Sequence, residues 1–138
     1  MRRLANNGSE QELQIMVADY IRFRYPSVIF RSDYGSGLKL TYNQSVKQAR
    51  QNGFRKGFPD MTIFHPNWTA GKKSPVLFIE LKKAGTRLKK RDGSWASEHI
   101  AEQAKMMENL RQCGHIAEFG VGFIQTRKII DNYLEGVR

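Results

Sequence analysis

The N-terminal part of the chain carries a helical pattern. Apolar side chains recur at three- and four-residue spacing between Ser9 and Tyr25, and Pro26 stops the pattern. Ser9 and Glu12 have the spacing of a capping box, which predicts that the helix begins at Ser9. Glu10 falls on the stripe of this helix that carries the apolar residues, so we expect this acid to face inward.

Two apolar runs in the middle of the chain predict adjacent strands. The runs are Phe58–Phe64 and Val76–Lys82, and the link between them contains proline and glycine, which predicts a loop. Because side chains alternate faces along a strand, Glu80 and Lys82 share one face of the second strand. If the two strands pair, Asp60 lies beside Glu80, with Lys82 one step further along.

The remaining patterns predict more helices and strands on either side of these two. They are a strand over 28–31, a helix over 42–52 that Thr41 caps and Gly53 ends, a helix over 97–113, a strand over 116–123, and a last helix that Thr126 caps. The order is helix, strand, basic insert, two strands, helix, strand, helix, which predicts a mixed α/β fold. We expect residues 1–138 to form one domain.

Charge is the compositional feature that narrows the function. The 138 residues include 23 Lys and Arg against 13 Asp and Glu, which gives a net charge of +10. Such an excess favours nucleic acid as the partner over an acidic protein or a membrane surface. The sequence has neither a membrane-length apolar run nor the apolar segment of a secretory signal, and its single cysteine suits a reducing compartment. We therefore expect a cytoplasmic protein without a membrane partner.

The acids of the two middle strands point to metal-assisted chemistry. Two carboxylates that lie side by side repel each other, and each loses solvation on burial. A divalent cation between them offsets both the repulsion and the lost solvation. Mg²⁺ commonly binds one or two carboxylates together with water and a substrate phosphate. Leu81 offers its backbone carbonyl as a third oxygen, while Lys82 is placed to orient water or to stabilise charge on a phosphate.

Each of these motifs also has a purely structural interpretation. A Glu-Leu-Lys-Lys run is common on solvated strand edges and helix faces, and Pro-Asp is common where strands and turns begin. Their combination in neighbouring apolar runs of a strongly basic chain favours the functional interpretation.

The combination resembles the PD-(D/E)XK nuclease superfamily, through Pro59-Asp60 followed by Glu80-Leu81-Lys82. The wider pattern is similar to the VRR-NUC branch, and nearest to its small stand-alone versions in phages and bacteria. This resemblance covers nearly the whole chain. It is carried by SEQELQ at 9–14, GFRKGFPD at 53–60, FIELKK at 78–83, EQAKMMENLRQCGH at 102–115 and IIDNYL at 129–134.

The resemblance implies a restriction-endonuclease-like αβββαβ core, in which helices flank a central mixed sheet. It implies a DNA endonuclease that depends on Mg²⁺ or Mn²⁺ and needs no small-molecule cofactor. Asp60, Glu80 and the carbonyl of Leu81 match the metal ligands of the family, and Lys82 matches its catalytic lysine.

Two further catalytic positions follow from the same resemblance. The family has a glutamate in its first helix and a glutamine on the helix that follows the lysine strand. Glu10 and Gln103 match these positions, and Glu12 is the rival for the first of them. Helix capping explains Glu12, an acid in the first turn suits the helix dipole, and a buried glutamine commonly satisfies backbone groups, so each residue also has a structural interpretation.

The expected partner is DNA, bound through basic residues that flank the acid pair in sequence. Such contacts give affinity and position and do not identify bases. The predicted DNA-binding residues are Lys39, Lys47, Arg50, Arg55, Lys56, Lys83, Arg87, Lys89, Lys90 and Arg91. Tyr34 and Trp95 lie in basic loops, where stacking on bases and packing under their own loop are both open.

Stand-alone members of the resembling family are associated with cutting of branched DNA, such as Holliday junctions or flaps, by homodimers. The resemblance extends that expectation to this chain. The alternative is a non-catalytic nucleic-acid-binding module that keeps a nuclease-like fold. The intact set of Asp60, Glu80 and Lys82 argues against this alternative, because a pure binder gains nothing from carboxylates placed against phosphate.

Overall fold

The computed structural model describes residues 9–33, 40–53, 56–66 and 75–137. Four helices and four strands lie within these ranges. They are α1 (Glu10–Arg24), β1 (Ile29–Ser32), α2 (Tyr42–Gln51), β2 (Met61–Phe64), β3 (Leu77–Lys82), α3 (Glu98–Gln112), β4 (Ile116–Val121) and α4 (Gly122–Tyr133). Among the helices of these ranges, none is long and apolar enough to cross a membrane.

The four strands form one mixed sheet in the order β1-β2-β3-β4. β1 pairs with β2 and β2 with β3 in antiparallel fashion, while β4 runs parallel to β3. The parallel pair needs a crossover connection, which α3 supplies. The predicted αβββαβ order is therefore confirmed, with α2 inserted after β1 and α4 added at the end.

The apolar core lies on one face of this sheet, beneath α1 and α4. The inward side chains of β2 and β3 are almost completely buried there, and they comprise Met61, Ile63, Leu77, Ile79 and Leu81. These are the odd-numbered positions of the two strands, as period-two alternation requires. The even-numbered positions therefore point to the opposite face, where Phe78 packs with Met107 of α3 and Ala117 of β4.

A shared carboxylate joins α1 to α4. The hydroxyls of Tyr20 and Tyr25 each donate a hydrogen bond of 2.7 Å to Oδ1 of Asp131. Burial raises the pKa of Tyr25, and the hydrogen bond and negative charge of Asp131 raise it further. Both hydroxyls therefore stay protonated at neutral pH and keep α1 docked against α4.

Side-chain caps begin α1, α2 and α3 at the predicted residues. Ser9 accepts a hydrogen bond from the N–H of Glu12 at 3.1 Å, and Ser97 accepts one from the N–H of Ile100 at 3.2 Å. Thr41 and Gln44 form a complete capping box. α2 ends at Gln51 with Asn52 as its C-cap, within one residue of the predicted bound, but Gly53 does not adopt the left-handed conformation expected of a glycine that stops a helix.

The predicted cap of the last helix is wrong. α4 starts directly after β4, at Gly122, whose φ of 78° turns the chain from strand into helix. Thr126 lies inside the helix, where its buried hydroxyl donates to the carbonyl of Gly122 at 2.7 Å. A threonine can satisfy its hydroxyl in this way within a helix, so its sequence signal resembles that of a cap.

Gly57 fixes the loop that leads into β2. Its φ is 75°, and a Cβ built on it would lie 2.9 Å from the backbone oxygen of Glu102 in α3. Glycine lets the loop approach the helix backbone this closely, three residues before Asp60.

We predict that Gly57→Ala lowers the free energy of unfolding by about 2 kcal/mol or more, since it combines left-handed strain with a backbone clash. The measurement is urea denaturation. Gly53→Ala is the matched control, because a Cβ there meets nothing within 4 Å. It should change stability by less than about 1 kcal/mol. Equal losses in the two variants would contradict the account.

Candidate active site

Asp60 and Glu80 lie side by side on the α3 face of the sheet. β2 pairs with β3 through Met61↔Ile79 and Thr62↔Phe78, so the next step of the register sets Asp60 opposite Glu80. Asp60 is half-buried immediately before β2, whereas Glu80 is only 3% exposed within β3. The strand is shorter than the predicted run over 58–64, but the two acids share a face as the alternation indicates.

The backbone of β3 holds the Asp60 carboxylate. Oδ2 of Asp60 accepts a hydrogen bond of 2.8 Å from the N–H of Leu81. The N–H and C=O of one residue in an extended strand point to the same side. The carbonyl of Leu81 is therefore directed toward the side of β3 where Asp60 lies.

A second backbone bond fixes the loop that carries Asp60. The N–H of Asp33 donates to the carbonyl of Asp60 at 2.8 Å. The carbonyl of Asp33 in turn accepts from Nε2 of Gln14 in α1 at 3.3 Å. β1, β2 and α1 thus meet at this end of the sheet, and each contributes to the position of one carboxylate.

Burial dominates the electrostatics of Glu80. Desolvation raises the pKa of the Glu80 carboxyl to about 10, and the hydrogen bond and negative charge of Asp60 add to this effect. The carboxyl is therefore protonated at neutral pH in the ligand-free protein. A buried acid pair of this kind keeps one proton because two adjacent charges would repel each other at low dielectric.

Two further predicted residues contribute charge at the acid pair. The ammonium of Lys82, which is 5% exposed, lowers the pKa of Glu80 and so opposes the effect of burial. The carboxylate of Glu10, at the start of α1, raises it. Glu12 is not among the charges that act on Glu80, and its N–H is bound by the Ser9 cap. The prediction that Glu10 faces inward is wrong, because its position in the first turn of α1 leaves the side chain exposed. Its charge nevertheless acts on Glu80, whereas that of Glu12 does not.

Gln103 is buried in α3 with one polar atom unsatisfied. Its side chain is 4% exposed, and Nε2 lies 3.3 Å from Nε2 of His99, one turn earlier. Within the described part of the chain, its Oε1 has no hydrogen-bond partner. An unsatisfied buried oxygen costs about 1–3 kcal/mol, so in a native structure it commonly bonds to water, an ion or a ligand. Its backbone N–H lies beside Gly57, in the loop that leads to Asp60.

A cleft of about 580 Å³ opens beside Asp60. β1 and β2 contribute Arg31, Thr62 and Phe64 to its lining, and α2 and the loop before β2 contribute further residues, including Gln48, Asn52 and Phe58. Of the acid pair, only Asp60 lines the cleft. The cleft therefore adjoins the acid pair, and the carboxylate of Asp60 belongs to both.

The predicted DNA-binding residues that the structure describes occupy four places. Lys47 and Arg50 are exposed on α2, and Lys56 forms an exposed ion pair of 2.9 Å with Glu102. Lys83 is exposed directly after β3. The others lie in residues 87–97, which we name the basic hairpin, and comprise Arg87, Lys89, Lys90 and Arg91, all exposed. Lys39 and Arg55 lie outside the described residues.

The basic hairpin is ordered by its own contacts. The N–H of Lys90 donates to the carbonyl of Ser94 at 2.8 Å, across a turn in which Gly93 has a φ of 87°. Trp95 packs against Phe119 of β4, with ring centroids 5.8 Å apart, and the Lys89 ammonium lies 4.8 Å above the Trp95 ring. Trp95 therefore packs under its own loop, and Tyr34 lies outside the described residues.

Sequence patterns do not single out Arg31 or the phenylalanines of the cleft. Arg31 belongs to the edge strand β1, where a lone charged side chain is ordinary. Phe58 and Phe64 look like core residues of a strand, yet they are 42% and 43% exposed. β2 comprises only Met61–Phe64, so Phe58 lies in the loop before the strand and Phe64 at its end. The register of β2 on β1 then brings Arg31 to the same cavity.

The oxygen donors at the acid pair fit a hard dication. Among the described residues, there is no group of three or more His, Cys, Asp and Glu side chains that could hold a metal. The available set is instead two carboxylates and one backbone carbonyl, which is the number and type of protein ligand that suits Mg²⁺.

Comparison with solved structures finds a VRR_NUC domain protein. The alignment has a TM-score of 0.60 and covers 99% of this chain and 93% of the other, at 20% sequence identity. This chain has the fold of a VRR_NUC domain protein. The likeness supports the family resemblance carried by the motifs and confirms a restriction-endonuclease-like architecture. No protein-family model matches the sequence, and no curated protein matches it.

The raised pKa of Glu80 predicts a pH dependence of stability. An unfolded glutamate loses its proton near pH 4.5, whereas Glu80 in the folded chain keeps it to about pH 10. Unfolding therefore releases a proton between these values, and the folded chain loses stability as the pH rises, by up to about 1.4 kcal/mol per pH unit.

We predict that Glu80→Gln removes this slope. In EDTA, the variant should gain stability relative to the native chain as the pH rises from 5 to 9, measured by urea denaturation at each pH. Glu118→Gln, at an exposed position of β4, is the matched control and should follow the native chain. Parallel curves for the native chain and Glu80→Gln would contradict the buried, protonated carboxyl.

Proposed function

We propose that this protein is a metal-dependent DNA endonuclease that hydrolyses phosphodiester bonds. The observation that carries the proposal is the pair formed by buried Glu80 and half-buried Asp60, with Lys82 on the same face of β3 as Glu80. A purely structural site would lose stability by keeping two acids together in this way. The fold shared with a VRR_NUC domain protein and the net charge of +10 support the proposal.

In this proposal, Asp60, Glu80 and the carbonyl of Leu81 hold Mg²⁺ or Mn²⁺. A bound divalent cation supplies a lowered pKa for water and polarises the phosphoryl oxygen. Binding requires Glu80 to give up its proton, so affinity for the cation rises with pH.

The side chains around the pair have distinct roles in the proposal. Lys82 stabilises the negative charge that develops on the phosphate and orients the attacking water. The Gln103 amide holds that water or the phosphate through its unsatisfied oxygen or its N–H groups. Glu10 supplies a further carboxylate at the start of α1, where it acts through charge on the pair.

The substrate in this proposal is branched DNA, such as a Holliday junction or a flap, and the active form is a homodimer. A four-way junction has two-fold symmetry, and two active sites related by a dimer axis match it. The basic hairpin and the exposed cations of α2 supply the phosphate contacts. The rival function is a nucleic-acid-binding module without catalysis, for which the family fold would serve only as a scaffold.

We predict that Lys82→Met lowers cutting of junction, flap or duplex DNA by at least about 100-fold in Mg²⁺, because the charge on the phosphate loses its stabilising partner. The variant should bind the same DNA in EDTA nearly as well as the native chain. Glu80→Gln should abolish cutting as well. Product formation on labelled DNA is the measurement.

The matched control for Lys82→Met is Lys128→Met, which removes an exposed lysine of α4 and should leave cutting unchanged. Undiminished cutting by Lys82→Met and Glu80→Gln would contradict this active site. Binding without cutting by the native chain, in Mg²⁺ and in Mn²⁺, would favour the rival function.

We also predict that the basic hairpin binds phosphates of the DNA backbone. Replacing Arg87, Lys90 and Arg91 together with Gln should weaken DNA binding. It should also reduce the slope of log K against log salt by about 0.9 for each duplex phosphate that the variant no longer neutralises. The control replaces Arg22, Lys105 and Lys128 with Gln, which removes equal charge elsewhere. Equal slopes for the two variants would show that only overall charge matters.

A further inference from the structure

The cleft beside Asp60 has the composition of a site for a planar ring. Phe58 and Phe64 line it, and more than two-fifths of each side chain is exposed to solvent. Phe58 is held in orientation by an edge-to-face contact with Phe78, at 5.6 Å between ring centroids. Aromatic rings that stay exposed in a concave site offer stacking surface to a ligand.

Polar groups also line the cleft. Arg31 contributes a guanidinium from β1, and Asp33 and Asp60 contribute carboxylates. Gln48 of α2 and Asn52, the C-cap of that helix, contribute amides. Arginine stacks on bases or pairs with phosphate, while amides offer both donors and acceptors to the edge of a base. The cleft thus combines aromatic stacking surface with a guanidinium, two carboxylates and amide groups, a set of donors and acceptors that suits the ring face and polar edge of a nucleobase better than an aliphatic ligand.

The size and position of the cleft are consistent with one nucleotide. Its volume of about 580 Å³ falls within the range of sites that hold small organic ligands. A base inside the duplex stack has no exposed ring face, so it can enter such a site only when unpaired or turned out of the helix. Asp60 lines the cleft and also belongs to the acid pair, so a base here would lie close to a phosphate held there.

We propose that this cleft binds an unpaired nucleobase next to the scissile phosphate. The proposal rests on the proposed nuclease function for the identity of the polymer and names its substrate class as DNA with an unpaired nucleotide at the cut. Stacking on Phe58 and Phe64 provides the affinity, and Arg31 holds the attached phosphate or the second ring face. Fully paired DNA would leave the cleft unfilled and bind through backbone contacts alone.

Binding in EDTA tests this proposal without any cutting. The ligands are three labelled duplexes that differ at one position. The first carries an unpaired nucleotide, the second an unpaired abasic residue with the same backbone, and the third is fully paired. We expect the unpaired base to bind about tenfold more tightly than the abasic residue, as stacking of one base contributes. Fluorescence anisotropy measures the dissociation constants.

Three variants locate the effect. Phe64→Ala should bring the ratio between base and abasic ligands close to one, and Phe64→Tyr should restore it by returning a ring. Phe23→Ala is the matched control, because it removes a phenylalanine that is 88% exposed on α1 and does not line the cleft. It should keep the native ratio.

Two results would overturn the proposal. One is a native chain that binds the base and the abasic residue equally, and the other is a Phe64→Ala variant that keeps the preference. The first comparison uses only the native chain, so it holds even if a variant folds poorly. Failure of the proposed nuclease function is a separate outcome. If the native chain prefers the unpaired base but never cuts DNA, the nuclease proposal fails and the base site stands. If it cuts DNA without that preference, only the base-site proposal fails.

Discussion

The burial of Glu80 against the half-buried carboxylate of Asp60 is the constraint on which the rest of this structure depends. Glu80 is almost fully enclosed in β3, and the carboxylate of Asp60 is tied to the backbone of the same strand. Despite the opposing charge of Lys82, Glu80 in this pair keeps a proton and lowers the stability of the folded chain above pH 4.5. The acid pair thus destabilises the centre of the sheet at neutral pH. A cation that takes the place of the proton would remove this destabilisation.

Several elements of the fold position the residues of this acid pair and those around it. Gly57 allows the loop before β2 to lie against α3, and Asp33 and Gln14 tie the same loop to β1 and α1. The Tyr20 and Tyr25 hydroxyls dock α1 on α4, which sets Glu10 within electrostatic range of Glu80. α3 brings the buried Gln103 beside the same loop. Residues from both helical layers and from the sheet therefore position the acid pair. The basic hairpin and the cleft lie outside this set of contacts.

Strand alternation and helix capping predicted the parts of this structure that depend on residues close together in the sequence. Period-two alternation placed Asp60, Glu80 and Lys82 on one face, and capping chemistry located the starts of α1, α2 and α3. The cap at Thr126 was wrong because a threonine can bond back to a carbonyl within a helix, as it does to Gly122. The cleft lay beyond such rules, since Arg31, Gln48 and Phe64 meet only through the register of β1 on β2 and the position of α2.

The titration of the Glu80 carboxyl carbon by NMR, with and without Mg²⁺, tests the central claim most directly. The account predicts a midpoint far above 4.5, toward 10, in EDTA, and a fall of that midpoint when Mg²⁺ is added, because the cation competes with the proton for the same oxygens. Assignment through the Glu80→Gln variant identifies the signal. A midpoint near 4.5 in EDTA, or one that Mg²⁺ leaves unchanged, would contradict the claim that these two acids form a buried cation site.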